Sequence, residues 1–116
     1  MESLQIITTK YLQYLLDVKS YSKETIRAYL YDYTYLFELT ADFKDSFWKN
    51  STWFSERKIK VSEKELMDLA RKNLNKLKKH KRSSINRKIA SLKSLLNWAF
   101  EQKHIDAVSY THLRAH

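Results

Sequence analysis

The sequence predicts an all-α bundle of four to five helices. Three observations carry that prediction. The 116 residues contain no Gly and no Pro, so the tight turns of β-hairpins have none of their usual residues. Apolar residues recur at helical spacing in several windows. Ser22 and Ser62 each stand just before such a window, with Glu24 and Glu65 in the first turn that follows. Those are helix-start signals, because a Ser hydroxyl accepts a free backbone N–H and an acid suits the positive end of the helix dipole.

The first predicted helix runs from about Leu4 to Asp17, with Ile7, Tyr11, Leu12, Leu15 and Leu16 on one stripe. Residues 18–21 break it. The second starts after Ser22 and reaches about Leu39, with Ile26, Tyr29, Leu30, Tyr33, Leu36 and Phe37 facing inward. Tyr31 and Tyr35 fall off that stripe and are expected to be partly exposed. Residues 41–60 hold Phe43, Phe47, Trp48, Trp53 and Phe54, too apolar for a disordered linker. They read as an extension of the second helix or as a short helix packed across the bundle. The next helix starts at the Ser62–Glu65 capping box and continues through Leu66, Leu69, Ala70, Asn73, Leu74 and Leu77 to about Lys79. The last opens after a basic turn at residues 76–84 and ends near Gln102. It places Ile85, Ile89, Leu92, Leu95, Leu96 and Ala99 inward, and Arg87, Lys88 and Ser91 outward.

Composition narrows the chemistry. A chain of this length makes one domain with one modest core. There is no Cys, and the four His residues form no helical pair with metal-ligand spacing, so no metal and no cofactor are expected. The lack of Gly also removes phosphate loops and dinucleotide-binding turns. No apolar run approaches the roughly twenty residues of a membrane span, and no signal-peptide layout opens the chain. A cytoplasmic location and no membrane partner are the expectations.

Charge is the main pointer to function. The net charge is +9. Residues 1–68 carry ten basic and eleven acidic side chains, whereas residues 69–116 carry twelve basic and two acidic. No acid lies between Asp68 and Glu101, a stretch holding ten Lys or Arg. A one-sided basic half suits a polyanion. The alternative is an ordinary solvated face. The openings of the second and last helices, at Tyr21–Phe37 and Ser83–Phe100, each combine a hydroxyl-rich turn with an early Arg. A helix start of that kind presents free N–H groups to phosphate.

At these residues the chain resembles the N-terminal core-binding domain of tyrosine recombinases, the phage-integrase and Xer-type enzymes. The first helix carries Tyr11-Leu12 and Tyr14-Leu15. The second carries Ser22, Thr25, Tyr29, Asp32 and Phe37 in the family's order. The last carries Ser84, Ile85, Asn86, Arg87, Leu92, Leu95, Trp98 and Phe100. The resemblance spans about residues 4–106. It implies an orthogonal SAM-like bundle that binds double-stranded DNA at a recombination site, with the second and last helices against the duplex. It implies contacts from Ser22, Lys23, Thr25 and Arg27, and from Lys81, Arg82, Ser83, Ser84, Asn86, Arg87 and Lys88. In a full-length parent it implies other recombinase protomers as partners and a separate catalytic domain, whose Tyr attacks a phosphodiester without a cofactor. No catalytic residue is expected in this chain, which on its own would bind and not cleave.

Other readings stand beside this one. Ser22 and Ser84 also suit plain N-caps, Arg27 a pair with Asp32 or Glu24, and Asn86 a local backbone bond. A stand-alone helical DNA-binding regulator fits the basic half. A protein-interaction module would use the Trp48–Phe54 patch. Residues 1–107 are expected to form the domain. Residues 108–116, VSYTHLRAH, resemble one reading frame of a common sequencing adaptor and are expected to be a non-native tail, with a genuine short His-rich terminus as the alternative; Tyr110 follows the last helix by only a few residues and is not taken as a nucleophile.

Overall fold

The computed structural model describes residues 2–55, 59–77 and 81–105. They form five helices: α1 (Glu2–Asp17), α2 (Lys23–Leu36), α3 (Phe43–Ser55), α4 (Glu63–Asn75) and α5 (Arg82–Glu101). No strand forms among the described residues, and an isolated parallel bridge joins Val61 to Ile105. The all-α bundle expected from the sequence is the fold observed. None of these helices is long and apolar enough to cross a membrane.

Within residues 41–60, α3 is a separate helix, because α2 stops at Leu36 and the chain turns before Phe43. Phe43 and Phe47, one turn apart, are both buried. They bring α3 across α1, which is its most extensive neighbour. Trp53 and Phe54 lie in the last turn of α3, and their side chains fall outside the described part. Residues 78–80 and 106–116 do as well, so Lys79 and the predicted tail are not placed.

Most of the predicted stripe residues meet in one core, but Ile85 and Ile89 of α5 are only half-buried and stand outside it. Ile7, Leu12, Ile26, Leu30, Tyr33, Leu36, Leu66 and Leu95 are at most 2% exposed. Each such side chain contributes roughly 1.5–3 kcal/mol relative to exposure. Aromatic rings join three helices at its centre. Tyr11 of α1 packs on Trp98 of α5 at 5.2 Å between centroids and on Tyr33 of α2 at 6.3 Å. Tyr33 stacks on Phe37 at 5.8 Å.

Helix ends show how a chain without Gly makes its turns. Glu38 and Lys103 take left-handed backbone conformations with φ of 52° and 61°. Each stands one residue beyond a C-cap, Phe37 or Gln102. The residue after each closes the helix, with Leu39 N–H donating to Thr34 O at 3.1 Å and His104 N–H to Ala99 O at 2.8 Å. This is the Schellman arrangement, usually built on Gly. A residue with a Cβ pays about 1 kcal/mol for that backbone region. At the end of α2 two contacts offset it. Lys72 pairs with Glu38 at 3.1 Å, and Asn73 Nδ2 donates to Leu36 O at 2.9 Å. Both partners lie on α4, so the close of α2 is also its attachment to α4.

After α5 the chain is pinned by Val61 N–H donating to His104 O at 2.7 Å. The His104 ring packs on Trp98 at 5.2 Å, and its Nδ1 lies 3.3 Å from Ile59 O.

Candidate nucleic-acid interface

The openings of α2 and α5 differ in chemistry. At α2 the Ser22 hydroxyl accepts the Thr25 N–H at 3.2 Å and shares a hydrogen bond with the Thr25 hydroxyl at 2.9 Å. Glu24 sits in the same turn. Ser22 is therefore a satisfied N-cap, and Ser22, Lys23, Thr25 and Arg27 are all exposed. At α5 the cap position is Lys81, whose side chain makes no capping hydrogen bond, and no acid lies in the first turn. Ser84 is inside the helix with its N–H on Lys81 O at 3.1 Å, so it is not the N-cap. Lys81, Arg82, Ser83 and Asn86 are exposed, and Ser84 is half-buried. The positive end of the α5 dipole is thus surrounded by basic side chains and left without an anionic partner in its own first turn.

The two openings do not lie side by side. Tyr35 meets Lys88, and Asp32 meets Arg87 and Ser91. Tyr29 and Thr25 share a groove with Ser91 and Ser94. The pairs step in opposite directions along α2 and α5. Ser22 is ten residues from Asp32, about 15 Å along the helix, on the far side from the start of α5. One face therefore carries the α2 start at one end, the α5 start at the other and a groove between them.

That groove encloses about 250 Å³. Ala28 and Ala90 contribute methyl groups, while Thr25, Tyr29 and Ser94 bring hydroxyls. Burial raises the Tyr29 phenol above its ordinary pKa, which keeps it a hydrogen-bond donor. Tyr33 lies deeper. Its hydroxyl donates to Ser91 O at 2.6 Å, and burial pushes its pKa well up.

Asp32 is the hub of the face and is only 1% exposed. Its Oδ1 accepts Arg87 Nη2 at 2.8 Å and Lys88 Nζ at 3.0 Å. Its Oδ2 accepts the Ser91 hydroxyl at 2.9 Å. The Lys88 ammonium also lies 4.7 Å from the Tyr31 ring centre and 5.6 Å from that of Tyr35. Two expectations are corrected here. Lys88 is 2% exposed and Ser91 is 5% exposed, so neither points outward from α5. Lys88 as placed cannot reach a ligand on the surface, because its charge is spent on a buried carboxylate. Arg87 shares the same carboxylate but keeps half of its side chain in solvent.

Arg27 pairs with neither Asp32 nor Glu24 in the contacts observed; its guanidinium lies 5.9 Å from the Trp48 ring centre. One turn along, Lys44 Nζ lies 5.3 Å from the Tyr31 ring centre. Trp48 is exposed and Phe47 buried, so the described aromatic side chains of α3 split between a cation-bearing surface and the core. No group of three or more His, Asp or Glu among the described residues has a geometry that could hold a metal ion.

Sequence reasoning missed the hub although its signal was present. Asp32 falls three residues after Tyr29 and four before Leu36, on the buried stripe of α2. Lys88 and Ser91 fall four before Leu92 and Leu95, on the buried stripe of α5. An acid on one apolar stripe and a base on another predict each other, since a buried charge needs a partner.

Residues 8–103 match a known family, described as phage integrase, N-terminal SAM-like domain. No curated protein and no solved structure matches the chain.

Proposed function

The chain belongs to the phage integrase N-terminal SAM-like domain family, and on that premise we propose that it binds duplex DNA as the clamp domain of a site-specific tyrosine recombinase. The single observation that carries the reading is the start of α5. Its Lys81 and Arg82 are exposed, its first turn holds no acid, and its cap position makes no side-chain bond. Phosphate supplies what such a helix end needs, an anion with several acceptor oxygens. Arg87 and Asn86 lie one turn further on, where a helix entering the major groove meets base edges. Lys23, Thr25 and Arg27 supply backbone contacts from the far end of the same face. Ser22, Ser83 and Ser84 add hydroxyls along it. Lys88 belongs to the support of this face and not to its contacts. In this reading the cleavage chemistry resides in a catalytic domain of the parent enzyme, and other protomers of that enzyme are the further partners.

The test is fluorescence anisotropy with labelled duplexes across a salt series. Affinity is expected to fall steeply with salt, with a log–log slope of about −0.9 per phosphate neutralised. Replacing Lys81 and Arg82 by Ala is expected to flatten that slope by one to two units, about 0.9 for each lost contact. Binding that ignores salt, or a slope unchanged in the double variant, overturns the reading.

A protein-interaction role for Trp48 has one observation in its favour, the exposure of that ring. The labelled duplexes separate the two readings, because a chain built for that role alone would not bind them.

A further inference from the structure

The Asp32 cluster holds two cations against one carboxylate, and the two are not equivalent. Lys88 is sealed beneath the surface, 2% exposed, with its ammonium between the carboxylate and two tyrosine rings. Arg87 is bound by one nitrogen, Nη2, and half of its side chain reaches solvent. If Asp32 had only Arg87 as a partner, the pair would be neutral and the guanidinium would present no net charge. With Lys88 beneath it, Asp32 is already balanced. The Arg87 charge then remains whole while the carboxylate fixes the position of the guanidinium.

We propose that Arg87 is a sequence-determining residue, a preset guanidinium fork that reads a guanine edge beside the α2–α5 groove, with Asp32 and Lys88 as its positioning residues. This rests on the duplex-binding reading above. A guanidinium offers five N–H donors in a planar fork, and Nη2 on Asp32 leaves enough of them for the two acceptors of a guanine edge. A side chain already held in place loses less rotamer entropy on binding than a free surface Arg. The groove beside it has room for a base edge, and Ala28 and Ala90 supply methyl surface suited to a neighbouring apolar group, such as a thymine methyl. Lys88, which touches nothing outside the protein, thus sets how much charge the face shows to DNA.

The test starts from duplexes selected by the wild-type chain from a randomised library. Selection of a guanine is expected at one position, and replacing it should weaken binding roughly five- to a hundredfold. Arg87→Lys keeps the charge and loses the fork. It is expected to reduce that discrimination to about twofold while leaving the salt slope in place. Lys88→Met leaves Asp32 balanced by Arg87 alone. It is expected to lower the salt slope by about 0.9 although the residue is out of reach of the duplex. Circular dichroism reports whether each variant is folded, and the Arg87→Lys result decides if Lys88→Met is not. The proposal is overturned by a guanine preference that survives Arg87→Lys, or by an unchanged slope in a folded Lys88→Met. Selection of duplexes with no preferred base also overturns it, while the duplex-binding reading survives. No binding to any duplex removes both.

Discussion

Replacing Asp32 by Ala is the most demanding perturbation of this fold. Asp32 and Lys88 are 1% and 2% exposed and lie 3.0 Å apart. Removing the carboxylate leaves an ammonium buried without a counter-ion, which typically costs about 3–5 kcal/mol. The Ser91 hydroxyl loses its acceptor as well, worth about 1 kcal/mol. The Tyr31 and Tyr35 rings remain beside Lys88 and offset up to about 2 kcal/mol. These contributions share atoms and do not add, so a loss near 4 kcal/mol is the working figure. That is a large part of the roughly 5–15 kcal/mol that holds a domain folded. With a urea slope of about 1.5 kcal/mol/M, the unfolding midpoint should fall by about 2–3 M. The assay is helical circular dichroism against urea. A fall under about 0.5 M would refute the assignment of a buried charge pair. The double variant Asp32→Leu with Lys88→Met tests the cause. Replacing both charges by apolar groups removes the orphan, and most of the lost stability should return. If the double variant is as weak as Asp32→Ala alone, packing and not charge accounts for the loss.

Other outcomes follow from the helix ends and from His104. Lys103→Gly relieves a left-handed backbone with φ of 61° and should raise stability by about 1 kcal/mol in the same urea assay. Glu38→Gly should gain less, because it also loses the contact to Lys72. Asn73→Ala removes the donor to Leu36 O and Leu69 O and should cost about 1–3 kcal/mol. His104 has its pKa lowered, first by burial and then by Lys10, against a raising hydrogen bond to Ile59. Its folded form binds a proton less readily than its unfolded form. Stability should therefore be complete above pH 6.5, its ordinary pKa, and fall as pH drops from there towards the lower folded value. Thermal unfolding between pH 5 and 7.5 measures this, and His104→Gln should flatten that part of the profile.

The helices were legible because their signals are local. Ser22 and Ser62 do cap α2 and α4 through Thr25 N–H and Glu65 N–H. Most of the Leu, Ile and Tyr stripe residues do enter the core, Ile85 and Ile89 excepted. Less legible were the ends, since α2 stops at Leu36 and α4 at Asn75, both earlier than the apolar pattern suggests. Leu39 and Leu77 stay buried after their helices have ended, so periodicity ran past the last turn. Ser84 shows the limit of cap signals. A hydroxyl before an apolar run suggested a start there, but the helix begins two residues earlier at Arg82. The exposure of the candidate residues was half legible. Lys81, Arg82, Ser83, Asn86 and Arg87 are exposed on the helix that the charge count picked out. Lys88 was misplaced because a Lys after an Arg reads as one more surface charge until its partner is known.

Sequence alone determined the all-α class, the helix starts and the concentration of positive charge in the second half. Each depends on neighbours within one turn or on a simple count. Tertiary structure alone decided which charges are surface and which are core. Asp32 and Lys88 lie 56 residues apart in the chain, and only the packing of α2 on α5 removes water from both. Burial turns two ordinary polar side chains into an obligatory pair, and that pair in turn fixes where Arg87 stands.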